Sequence, residues 1–207
     1  MFDAELAELD NLVSSSPSGA TDEARAAIHG RMRAQAHLAP ERLAEWIQAV
    51  DPTDADQAGR LSDVYEALAP DATALEAFFL TELNRLLSVC EAHPGSKPAF
   101  SALGALMFLE AHAPESLRRD VRGRLVVGLR SSSASVRRAC VDLLGGHDVG
   151  RDTVARTAAE AALRDSDWKV RALAESTLSG AGLLPPGYST PLIDRLRRKM
   201  GSWTDYV

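Results

Sequence analysis

Little in this sequence can build a β-sheet or a disulfide framework. Aromatic residues make up only 5% of the 207-residue chain, and alanine and leucine dominate its 45% apolar content. β-Branched residues are sparse, which leaves extended strands poorly supported. There are only two cysteines, Cys90 and Cys140, and no CxxC pairing. That spacing fits a reducing, cytoplasmic setting in which both thiols act as small core residues. The chain opens Met1-Phe2-Asp3-Ala4-Glu5, acidic where a secretory signal carries positive charge. The apolar stretch without charge at Pro98–Leu109 falls short of the about 20 residues needed to cross a bilayer. No membrane span is expected.

The usual marks of catalysis are also missing. The five histidines, His29, His37, His93, His112 and His147, show no HExxH or other metal-ligand spacing. Cys90 and His93 stand one helical turn apart, but Pro94-Gly95 follows at once, so a helix end is expected there rather than a thiol site. Neither a glycine-rich phosphate loop nor a Gly-x-Ser-x-Gly elbow occurs. The expectation is therefore no catalytic residue, no metal and no cofactor.

What the chain does contain is an internal repeat. At an offset of 34, Leu129-Arg130-Ser131-Ser132-Ser133-Ala134-Ser135-Val136-Arg137 lies over Leu163-Arg164-Asp165-Ser166-Asp167-Trp168-Lys169-Val170-Arg171. Ala139, Cys140, Leu144 and Gly146 then meet Leu173, Ala174, Leu178 and Gly180. A period of this size marks stacked supersecondary units, here two helices each. Val136, Ala139, Cys140, Leu143 and Leu144 follow amphipathic-helix spacing, and Val170, Leu173, Ala174, Thr177 and Leu178 repeat it. Ser133 and Asp167 stand at N-cap positions, while Gly145-Gly146 and Gly180 stand at the helix ends. The preceding helices carry Leu117, Val121, Leu125 and Leu129, then Val154, Ala158 and Ala162, on four-residue steps.

The pattern Leu163-x-Asp165-x-Asp167-x-x-Val170-Arg171-x-x-Ala174-x-x-x-Leu178-x-Gly180 resembles a bacterial, PBS-lyase HEAT-like repeat. In the first unit Ser131 stands where the family has Asp, although Val136-Arg137 is retained. The resemblance is clearest over 115–182, and 74–112 could hold a degenerate unit. It implies an all-α fold, an α-solenoid of stacked antiparallel helix pairs serving as an interaction scaffold. It also implies that Arg137 and Arg171 pair along the stack, with Asp165 as an acidic partner.

Upstream, helices are expected near 3–13, 22–38, 40–50, 54–69, 73–91 and 97–112. Leu43, Trp46, Ile47 and Val50 make one stripe, and Leu61, Val64, Tyr65 and Leu68 another. Leu75, Phe78, Phe79, Leu83, Leu86, Leu87 and Cys90 make the broadest. Thr73 with Glu76 and Asp54 with Gln57 have capping-box spacing. No linker divides the chain, so a single helical-repeat domain over 1–207 is expected: an acidic irregular half (1–92), the repeats (93–182), and a Pro-rich loop with a basic capping helix and tail (183–207). Residues 1–92 hold 6 Lys/Arg against 17 Asp/Glu, and residues 93–207 hold 17 against 12. Such asymmetry can mark a partner surface, or simply charged helix exteriors.

Among candidate partner-binding residues, Arg138 and Lys169 lie off the apolar stripes and Trp168 precedes a repeat helix, where packing on the neighbouring unit is the competing role. Arg195, Arg197, Arg198 and Lys199 lie beside the stripe Leu192, Leu196 and Met200. That segment reads either as a helix capping the last repeat through its leucines or as a basic docking segment. The expected function is a non-catalytic protein-binding scaffold or adaptor with a protein partner. An immunity-type protein whose acidic half covers a basic toxin is one alternative. Another is a DNA glycosylase of the HEAT-like alkylpurine class, which Asp165 and Trp168-x-x-Arg171 echo in part, but the net charge of −6 disfavours nucleic acid.

Overall fold

The computed structural model describes residues 1–15, 21–71, 78–110, 113–145 and 149–200, and among them every regular element is helical. The helices are α1 (Asp3–Ser15), α2 (Thr21–Leu38), α3 (Pro40–Ala49), α4 (Ala55–Leu68), α5 (Phe79–Ala92) and α6 (Lys97–Glu110), a 3₁₀ turn at Ala69–Asp71 following α4. They continue with α7 (Glu115–Gly128), α8 (Ala134–Gly145), α9 (Thr153–Ala162), α10 (Trp168–Gly180) and α11 (Leu192–Met200). No helix among the described residues is long and apolar enough to cross a membrane. The expected Thr73/Glu76 box, Leu75, His112, Gly146 and His147 lie outside the described residues.

Two compact units emerge, one from Met1–Val89 with Lys97–Arg118, the other from Cys90–Ser96 with Arg119–Val207. Two of the three divisions fall inside α5 and α7, and the third lies between Ser96 and Lys97 at the start of α6.

In the first unit, α2 packs on α1 and on α4, and α4 packs on α6. Pro40 starts α3 without a side-chain cap, because the first turn has no use for the N–H that proline lacks. Asp54 caps α4 by accepting from Gln57 N–H, but Gln57 Oε1 accepts from Asp51 N–H rather than closing the box on Asp54. Leu43, Ile47, Leu61, Val64 and Leu68 are fully buried as their spacing requires, each contributing about 1.5–3 kcal/mol. Tyr65 in the same stripe is also fully buried, and its hydroxyl donates to Glu82 Oε1 at 2.7 Å. Arg85 grips both Glu82 oxygens and donates to Val50 O, so this buried acid has its charge and lone pairs satisfied. Burial, followed by the negative Glu82, pushes the Tyr65 hydroxyl well above its ordinary pKa.

The second unit holds the repeat. Val136, Ala139, Cys140, Leu143 and Leu144 of α8 are buried, as are Val170, Ala174 and Leu178 of α10, and these two helices pack together. Leu173 is only partly buried, at the edge of the apolar cluster built on Val141, Ala159, Val170 and Leu178. In α9 the buried face is Ala155, Ala158, Ala159 and Ala162, whereas Val154 is 53% exposed. The expected Val154 step was thus one residue out of phase: the i, i+3, i+4, i+7 alanine stripe starts at Ala155. Alanines permit the close packing of α9 against α10.

Two glycines are required by geometry. A Cβ on Gly128, at the end of α7, would lie 2.4 Å from Cys140 Sγ. Gly182, with φ +69°, turns the chain after α10: Leu183 N–H donates to Leu178 O and Gly182 N–H to Ser179 O. This Schellman closure places the left-handed residue two positions beyond Gly180, where the sequence pattern had put it. Leu183, Leu184 and Tyr188 then pack against the apolar cluster. The Pro-rich segment therefore supplies the apolar cover expected from α11, whose Leu192 and Leu196 are exposed.

Candidate functional site

Local sequence builds a charge ladder through the second unit. Asp167 caps α10 by accepting from Lys169 and Val170 N–H, and Asp165 Oδ1 accepts from Asp167 N–H at 2.7 Å. In the first repeat Ser131 Oγ accepts from Ser133 N–H, so serine keeps the turn-forming role of Asp165 but not its charge. Arg137 then donates from Nε and Nη2 to both oxygens of Asp165, at 2.8 and 3.0 Å. Its Nη1 reaches Ser131 O and Ser132 O.

Arg171 repeats this fork at the next step. It donates to both oxygens of Asp194 at 2.7 Å, and Nη1 reaches Asp165 O and Ser166 O. Burial alone would raise the Asp165 carboxyl, but the Arg137 hydrogen bond and the Asp167 N–H hold it below its ordinary value. The ladder is structural, as the resemblance implied for Asp165.

Two further acids were missed by sequence reasoning. Asp152 caps α9 with Oδ1 and receives Arg122 at 2.6 Å on Oδ2. Its place just before Thr153 was a legible N-cap signal. Asp194 is completely buried. The signal for it was the recurrence of Arg171, which needs an acid beyond the second repeat just as Arg137 needs Asp165.

Two apolar features are open to solvent. A groove of about 490 Å³ runs between Val126 and Leu129 on one side and Val154, Thr157 and Ala161 on the other, with Arg130 and Asp165 at its rim. The exposed Val127 belongs to the same turn of α7 as Val126. The second feature is α11, whose Leu192, Ile193 and Leu196 are 64%, 51% and 46% exposed while Asp194 faces inward to Arg171.

Arg138, expected on an exposed face, is half-buried and folds along its own helix, donating to Ala134 O at 3.3 Å and Ser135 Oγ at 3.2 Å. Lys169 is half-buried too, its Nζ 6.0 Å from the centre of the half-buried Trp168 ring. Arg195 is exposed on α11. The side chains of Arg197, Arg198 and Lys199 lie outside the described ones.

Both cysteines are buried and free. Burial pushes the Cys90 thiol up to about 11, and burial with the nearby Cys90 pushes Cys140 up to about 12. Neither holds appreciable thiolate at neutral pH, the form that attacks electrophiles or binds metal. Compared with protein-family models, with curated proteins and with solved structures, the chain matches none.

Proposed function

We propose that this chain is a non-catalytic protein-binding scaffold whose HEAT-like helical-repeat surface holds a protein partner. The observation that carries the reading is the apolar groove between α7 and α9, with Val127 and Val154 open beside it. Aliphatic side chains lining an open groove lower the free energy when a partner side chain displaces water from them. Arg130, which also lines the groove, supplies a polar group that fixes orientation. Asp165 and Arg171, which would carry the alkylpurine DNA glycosylase reading, are engaged in the ladder, and this supports the scaffold over the enzyme.

A narrower form is an immunity-type protein. The excess of 17 Asp/Glu over 6 Lys/Arg in residues 1–92 suits a basic toxin, whose complex should dissociate steeply as salt rises.

Photo-crosslinking tests the groove. A benzoylphenylalanine at Val154 should trap a discrete partner in native cells that the same group at exposed Ser179 does not. With that partner purified, Val154→Glu should weaken binding at least about tenfold. Identical crosslinks from both positions, or unchanged binding by Val154→Glu, would overturn the reading.

A further inference from the structure

We propose that α11 is a peripheral membrane-docking helix that seats on an anionic lipid surface. Its orientation is set by one residue. Asp194, with a side chain 1% exposed, points into the protein and is held by the Arg171 fork. Residues two positions before and after it lie about 160° around the helix. These are Leu192 and Leu196, and both face solvent, with Ile193 on the flank. Pro191 O accepts from Asp194 and Arg195 N–H, which fixes the start of the helix in this phase.

Charge selects the occupant. The α11 sequence holds Arg195, Arg197, Arg198 and Lys199 against a single acid. That acid is paired inward, so it does not oppose a negative surface. A helix with an outward aliphatic stripe, an exposed Arg195 and a sequence rich in cations matches the boundary between anionic headgroups and acyl chains. Trp203 and Tyr206 follow in the sequence, residue types that favour this boundary. The exposed leucines project to solvent, and a fluid bilayer receives such side chains without offering a matching groove.

The test is co-sedimentation of the full chain with vesicles. Vesicles containing phosphatidylglycerol should bind it, and vesicles of phosphatidylcholine alone should not. Binding should fall steeply towards about 1 M salt, where screening shortens to about 3 Å. Leu192→Ser with Leu196→Ser should lower partitioning at least about tenfold, while Arg195→Ser alone should lower it about fivefold. Because all three side chains are exposed, circular dichroism and thermal unfolding should match the parent, which keeps a negative result meaningful. The proposal fails if the folded parent ignores anionic vesicles, binds neutral ones equally, or binds unchanged without the two leucines. Retention on immobilised polyglutamate without vesicle binding also overturns it, in favour of an acidic protein partner.

Discussion

Asp194→Ala should release α11 while leaving the rest of the second unit folded. The substitution removes two charge-assisted hydrogen bonds of 2.7 Å from Arg171, each worth about 1.5–3 kcal/mol. Part of that is returned: the Arg171 side chain is 15% exposed and keeps its bonds to Asp165 O and Ser166 O, so water and backbone accept some of its charge. Release also restores chain entropy to α11. A net loss of about 2–3 kcal/mol remains, appearing as local opening because Leu192, Ile193 and Leu196 add little burial. Hydrogen exchange should show amides of α11 accelerating about 30–150-fold, with α8 and α10 protected as before. The melting temperature should fall by no more than about 4–8 °C. Leu192→Ser with Leu196→Ser should leave α11 exchange near the parental rate. Equal acceleration in both variants would mean that the leucines, not the acid, hold the helix.

Three other outcomes follow from the geometry. Gly128→Ala should destabilise by about 1–3 kcal/mol in chemical denaturation, because its Cβ meets Cys140 Sγ at 2.4 Å, and Cys140→Ala in the same chain should restore part of the loss. Arg137→Ala should cost about 2–3 kcal/mol near neutral pH by stranding Asp165; the lowered Asp165 pKa stabilises above its unfolded value, so the gap between variant and parent should narrow as pH falls through the folded value. His29 carries a pKa lowered by burial, then by Arg25 and Arg33 against Glu66, and its Nε2 has no hydrogen-bond partner. That contribution to stability is present above about 6.5 and lost as pH falls through the folded value; His29→Gln should flatten the acid side of a stability–pH curve, and an unchanged slope would refute the assignment.

The helices were legible because apolar spacing reports a two-faced rod wherever core residues are regular, as in Val136–Leu144 and Val170–Leu178. Spacing does not report which face meets the protein. Leu192, Leu196 and Met200 read equally well as an inward seam or an outward ridge, and the deciding residue, Asp194, looks in sequence like any surface acid. The Val154 expectation failed for a related reason: near a helix start, a four-residue step through Ala158 and Ala162 could begin at either of two neighbouring residues. The Tyr65–Glu82 bond was invisible because it joins residues 17 apart on different helices, and no local rule pairs them. Arg138 and Lys169 are half-buried because the Arg138 guanidinium turns back onto its own helix and the Lys169 ammonium lies by the neighbouring Trp168 ring.

The ladder gives each 34-residue module a forward donor, and gives the second module a backward acceptor. Arg137 reaches Asp165, and Arg171 reaches Asp194. At the leading end Ser131 stands where the acceptor would be, so no upstream arginine has a carboxylate to grip there. At the trailing end the acceptor sits on α11 instead of on a further module. The length of the series is therefore written in its termini, as in a polymer whose end groups stop growth. A second copy of residues 137–170 inserted after Val170 would leave every ladder arginine facing an acid and lengthen the series by one register.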